Sequence, residues 1–159
     1  MSQIKEDVYI SCDPGAKGNF CALLAKQNKV IFKSNTEHPS KLIEWINTIK
    51  TNYNLRVIMI EDVHSINQVS AKSNFSFGYN LGVVTTVAIV CQVMVDKVPP
   101  KKWQKFIGVK TNGKAIKKEV AEIAVRLYPN VPLYGPRGVL LDCRSDSLMI
   151  AHYDAYNRT

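Results

Sequence analysis

The chain has 159 residues, 46% of them hydrophobic and 21% charged. That balance excludes wholesale disorder, and the length suits one domain over 1–159 whose core needs no disulfide staples. Lysine and arginine number 21 against 13 acids, a net charge of +8, which favours an anionic partner, nucleic acid before a membrane surface.

Val8–Cys12 alternates and runs into Asp13-Pro14-Gly15, so it reads as a strand ended by a turn. Asn19–Ala25 and Val30–Lys33 read as two more strands, with Gln27-Asn28 as a hairpin turn between them. Ser40 is the expected cap of a helix through Tyr53, with Leu42, Ile43, Trp45, Ile46 and Ile49 at helical spacing. Arg56–Glu61 is an apolar run ending in acid, a buried strand. Asn67–Val90 reads as a long helix in which Gly78 and Gly82, four apart, permit close approach of another backbone. Val93–Val98 is a short strand stopped by Pro99-Pro100. Lys114–Tyr128 has a clear apolar face, Pro132–Leu141 reads as a loop, and Asp142–Tyr156 as the last helix. Three antiparallel strands followed by alternating helix and strand predict an α/β layer fold, a mixed sheet flanked by helices.

No repeat or linker divides the chain, and the longest apolar stretch, Leu81–Val95, is too short to span a bilayer. Cys12, Cys21, Cys91 and Cys143 form no CxxC pair. With no targeting signal at the N-terminus, they read as reduced cysteines of an intracellular protein, in host cytoplasm if the source is viral.

The acids carry the chemical information. Asp13 and Glu61 each close an apolar strand, and strand ends are where α/β folds place their sites. Asp142 and Asp146 are four apart on one face of the last helix, where like charges repel unless something compensates. Four carboxylates from three segments suit hard cations such as Mg²⁺ or Mn²⁺. Two such ions per site would clamp the attacking and leaving oxygens of a phosphodiester. The turn Asp13–Gly18 lacks the GK[ST] of a phosphate-binding P-loop.

Seven lysines and no acid lie between positions 101 and 118: Lys101, Lys102, Lys105, Lys110, Lys114, Lys117 and Lys118. Trp103 and Phe106 interleave, a pattern suited to tracking a nucleic-acid backbone. Lys102 or Lys105 is a candidate for neutralising transition-state charge. Phe75, ahead of the apolar helix body, is either a core residue or a wedge at a distorted DNA junction. His64 and His152 read as structural rather than ligating.

Five segments then resemble one family. ISCDPGAKGNFCAL is similar to the first strand and turn of RuvC-type Holliday junction resolvases, and IMIEDVHS to their second acidic strand. NFSFGYNLGVV resembles the phenylalanine-glycine helix of the phage, poxvirus and plant-organelle branches. VPPKKWQKFIGV resembles their proline-tryptophan-lysine segment, and DCRSDSLMIAHY their closing acidic helix. The matches fall in family order across nearly the whole chain. In the bacterial enzymes the last two acids are three apart, where here they are four.

The resemblance implies an RNase H-like fold with a mixed five-stranded sheet, a homodimer, and Mg²⁺- or Mn²⁺-dependent cleavage of four-way or other branched DNA. It implies Asp13, Glu61, Asp142 and Asp146 as metal ligands, and products with 5′-phosphate and 3′-hydroxyl ends. Compactness points to the phage-like branch. No membrane and no small-molecule cofactor is expected. Two other readings stand beside it: an RNase H-like nuclease acting on RNA or RNA–DNA hybrid, and a non-catalytic DNA-binding module in which the acids are bystanders.

Overall fold

The computed structural model describes residues 4–63 and 70–157. Five strands form one sheet: β1 (Asp7–Asp13), β2 (Asn19–Leu24), β3 (Lys29–Ser34), β4 (Asn54–Glu61) and β5 (Met94–Val98). Their order is β3-β2-β1-β4-β5, with β1–β2 and β2–β3 antiparallel and β1–β4 and β4–β5 parallel. Five helices accompany them: α1 (Pro39–Asn52), α2 (Ala71–Val90), α3 (Pro100–Ile107), α4 (Ala115–Leu127) and α5 (Asp142–Asn157). This is the mixed five-stranded α/β architecture that the sequence predicts.

The period of two along each strand sorts the core into two layers. Val8, Ile10 and Cys12 of β1, with Ile58 and Ile60 of β4, face Leu42, Ile46 and Ile49 of α1 and Val84, Val87 and Ala88 of α2. The alternate residues, such as Tyr9 of β1 and Met59 of β4, face Trp103 of α3, Val120 and Ala124 of α4 and Leu148–Ala151 of α5. Both faces of the sheet are therefore covered, and β2 is buried along its whole length. Cys12, Cys21 and Cys91 lie in this core and all four cysteines are free. Among the described residues no helix is long and apolar enough to cross a membrane.

The helices and the β2–β3 connection differ from expectation in four places. The segment after Pro99 is a helix, because Pro100 fits the first helical position and Trp103, Phe106 and Ile107 repeat at i, i+3, i+4. Helix α1 starts at Pro39 for the same reason, and His38 rather than Ser40 caps it, its ring accepting from Ser40 N–H. The β2–β3 connection is a 3₁₀ turn over Ala25–Gln27 closed by Asn28 in the left-handed region (φ 50°). Helix α2 begins at Ala71 with Ser70 as its cap. The expected start of that helix at 67–69, and His64, lie outside the described residues.

Candidate active site

Asp13 is the last residue of β1 and Glu61 the last of β4. The two strands are adjacent and parallel, and both acids follow directly on the Cys12–Ile60 pair. They therefore stand side by side at the carboxyl edge of the sheet, about 5 Å apart along the strand-to-strand direction. Both sit on the face covered by α5. Ser11 Oγ, two residues before Asp13, donates a buried hydrogen bond to the carbonyl oxygen of Ser147. That bond docks the start of α5 onto β1 and brings its first turns, with Asp142 and Asp146, over the same edge. The structure thus gathers all four predicted acids in one neighbourhood.

Their ionisation reports that closeness. Burial, then the charge of Asp13, pushes the Glu61 carboxyl up to about 7, against pull from the Trp103 hydrogen bond and from Lys117. Asp146 is raised well above the ordinary carboxylate range by burial and by Asp13, Glu61 and Asp142. Asp13 is raised by burial and by Asp142, while the Gly15 N–H and Lys117 oppose. These carboxylates share a desolvated corner and repel one another.

Lys117 of α4 is the cation among them. Its Nζ donates to Asp142 Oδ2, and the charges of Asp146 and Asp13 also hold it protonated. Lys101, Lys102 and Lys105 are on α3, exposed to solvent, with Lys110 and Lys114 exposed beyond them. None of these five is among the charges that shift Asp13, Glu61 or Asp146. The basic run therefore leads along α3 and into α4, and its Lys117 reaches the acids.

Two more groups hold the acids in place. The Trp103 ring is only 1% exposed, and its Nε1–H donates to Glu61 Oε1 at 3.0 Å. The Asp13–Gly18 turn is clasped from two sides. Gly15 N–H donates to Asp13 Oδ1 at 2.9 Å, while Asn35 Nδ2 and Asn80 Nδ2 donate to Gly15 O at 3.1 and 3.0 Å. The turn is so tight that a Cβ on Gly18 would fall 1.9 Å from the Asp13 carbonyl oxygen.

Phe75 is not a core residue: it is 76% exposed on the first turns of α2. His152 accepts or donates at 2.8 Å with Tyr128 Oη and packs among Phe106, Tyr153 and Tyr156, away from the acids. Sequence reasoning singled out neither Trp103 nor Lys117 as a site residue. Helical spacing from Pro100 was the available signal for Trp103, and nothing in one dimension marks Lys117 among seven lysines.

As the side chains stand, no three His, Cys, Asp or Glu groups among the described residues close around one point that could hold an ion. The donor chemistry nonetheless fits a hard divalent cation. Four carboxylates face one lysine, a deficit of positive charge, and three of the four have their ionisation suppressed by burial and mutual repulsion.

No protein-family model matches the chain, and no curated protein matches its sequence. Solved structures do match. RuvC of Thermus thermophilus in complex with Holliday junction substrate is 15% identical with a TM-score of 0.60, each chain covered to 95%. A second structure of Thermus thermophilus RuvC is 16% identical with a TM-score of 0.59, again at 95% of each chain. The chain has the fold of the RuvC-type resolvases, an RNase H-like α/β fold.

Proposed function

We propose that this chain is a divalent-metal-dependent endonuclease that resolves Holliday junctions, and other branched DNA, by paired nicking. The observation that carries the proposal is the convergence of Asp13, Glu61, Asp142 and Asp146 from two adjacent strand ends and one docked helix. A phosphodiester meeting four carboxylates needs positive charge, and these residues would hold the cation or cations through their oxygens. When bound, such ions activate water and offset the charge developing on the attacking and leaving oxygens.

The remaining residues serve that arrangement. Trp103 fixes one oxygen of Glu61, and Gly15 with the Asn35–Asn80 clasp fixes Asp13. Lys117, on a largely exposed stem, holds positive charge at the mouth of the site, the role first considered for Lys102 or Lys105. Lys101, Lys102, Lys105, Lys110 and Lys114 track the phosphate backbone, and exposed Phe75 is placed to wedge at the branch. Products carry 5′-phosphate and 3′-hydroxyl ends.

Two opposed nicks require two sites, hence a homodimer. Support comes from α2: Gly78 and Gly82 border an apolar groove of about 410 Å³ with Ile43, Tyr79, Val83 and Val90, and among the described residues, apart from each glycine's chain neighbours and the adjoining helix backbone, nothing lies within 4 Å of a Cβ built on either glycine. The likeness of NFSFGYNLGVV and VPPKKWQKFIGV groups the chain with the phage, poxvirus and plant-organelle branches.

The test is a nicking assay on an immobile four-way junction, a linear duplex and an RNA–DNA hybrid, with Mg²⁺, Mn²⁺ or chelator, beside Asp146→Asn. Metal-dependent paired nicks in the junction alone, lost in the variant, support the proposal. Cutting of the hybrid instead makes the enzyme an RNA-directed nuclease, and tight junction binding without cutting under either ion leaves a binding module.

A further inference from the structure

The segment Pro132–Leu141, read from sequence as a loop, is an ordered hairpin. Leu141 N–H donates to Leu133 O at 2.9 Å, Tyr134 and Leu140 form an antiparallel bridge, and Gly135 N–H donates to Val139 O at 2.9 Å. The tip closes with Gly138 N–H on Gly135 O at 2.9 Å, Pro136 occupying the second turn position and Gly138 the left-handed one at φ 68°. The base is anchored: Leu133 is buried in the layer of α3–α5, and Arg144 of α5 donates to Pro132 O at 2.9 Å.

No described residue covers the tip. Tyr134 is 50% exposed and Val139 63%, with Arg137 exposed between them. No acid occurs from Pro129 through Leu141. Arg137, at the tip, stands five residues before Asp142, so it lies within about 18 Å of chain from a candidate ligand. At about 3.4 Å per nucleotide along a duplex strand, that reach spans about five nucleotides. The apolar groove suited to a second copy is on α2, on the opposite face of the sheet, so the hairpin is free of that interface.

We propose, resting on the nuclease reading above, that this hairpin reads the DNA within about five nucleotides of the cleaved phosphate and sets a sequence preference there. Arg137 supplies a forked donor for a guanine edge or phosphate, and Tyr134 a flat ring for a base. Because the hairpin is already closed by its own backbone hydrogen bonds, binding orders little chain, and an aromatic and an arginine carried on such a ribbon discriminate by geometry.

The experiment cleaves a library of four-way junctions randomised around the crossover and sequences the cut sites, for wild type, Arg137→Ala and Tyr134→Ala. Mn²⁺ calorimetry, melting and sedimentation are run on each protein. Wild type is expected to show a base preference within about five positions of the cut, and Arg137→Ala to lose about tenfold of it. Tyr134→Ala is expected to weaken junction binding about tenfold, with metal binding, melting and oligomeric state unchanged in both. A cut-site spectrum and affinity like wild type in both variants overturns the inference, as does a change of oligomeric state, which would make the hairpin a protein interface. In parallel, Val139→Cys is cross-linked to junctions carrying a thiol-reactive group at successive positions. If wild type cuts nothing but this cross-link forms near the crossover, the nuclease reading falls and the DNA contact stands. If cutting proceeds and no position cross-links, only the hairpin inference falls.

Discussion

Replacing Trp103 with phenylalanine tests whether the indole N–H, rather than the ring's bulk, organises the acids. The Nε1–H sits 3.0 Å from Glu61 Oε1 in a place with almost no solvent to substitute for it. A hydrogen bond to a charged group contributes about 1.5–3 kcal/mol, and outer partners of metal-binding carboxylates change metal affinity about 10–100-fold. The bond also holds Glu61 below the value that burial and Asp13 would otherwise impose, so its loss moves the carboxyl further above about 7. We expect Mn²⁺ affinity at neutral pH, read by calorimetry, to fall at least tenfold in Trp103→Phe, with more protons released per ion bound. Trp45→Phe is the control. Trp45 packs edge-on against Phe20 in the opposite layer, so its trimming should lower the melting temperature and leave Mn²⁺ binding alone. An Mn²⁺ affinity for Trp103→Phe within twofold of wild type, or an equal loss in Trp45→Phe, would refute the reasoning.

Glu61 gives a pH dependence with a definite sign. Its pKa rises from 4.5 to about 7 on folding, so between those values the folded protein binds more protons than the unfolded one. Metal-free stability should therefore fall by about 3 kcal/mol as pH rises from 4.5 to 7, seen in urea titrations, and Glu61→Gln should remove that part of the slope. Lys117→Gln should reduce the cleavage rate at saturating junction by about 100-fold, whereas Lys102→Gln and Lys105→Gln should act on KM; equal effects from all three in single-turnover kinetics would contradict the placement of Lys117. Alanine at Lys101, Lys102 and Lys105 together should flatten the dependence of junction affinity on salt by about three contacts, and an unchanged slope removes α3 from the DNA surface. Gly18→Ala should unfold the first turn, costing about 3 kcal/mol or more, because its Cβ has no room. Gly78→Ala, with open space around it, should stabilise the monomer by up to about 1 kcal/mol; equal destabilisation of both by chemical denaturation would contradict the geometry.

Much of this architecture was legible because it is written in short-range pattern. Strands β1 and β4 are apolar runs that each end in an acid, and the acid ends mark the edge of the sheet where the site lies. Helix α4 announces itself by one apolar stripe. Helix α5 does not: it is buried on nearly every side between sheet and α3–α4, so only its position after the Pro132–Leu141 loop and its spaced acids gave it away. Helix α3 was missed because two prolines read as a stop when the second of them is a start. The contacts that complete the site join residues far apart in sequence, Trp103 with Glu61 and Lys117 with Asp142. Such pairs follow from how helices cross the sheet, and no local spacing encodes that.

Covering the sheet on both faces has a geometric consequence for anything as wide as a double helix. With α1 and α2 below and α3–α5 above, neither broad face can serve as a platform on which bases spread, as they do on an open sheet. The acids stand at the rim where β1 and β4 finish. On the nuclease reading proposed above, such a rim favours a backbone bent or opened at one point over a straight rod lying flat, so discrimination would begin with the shape of the scaffold before any side chain makes contact.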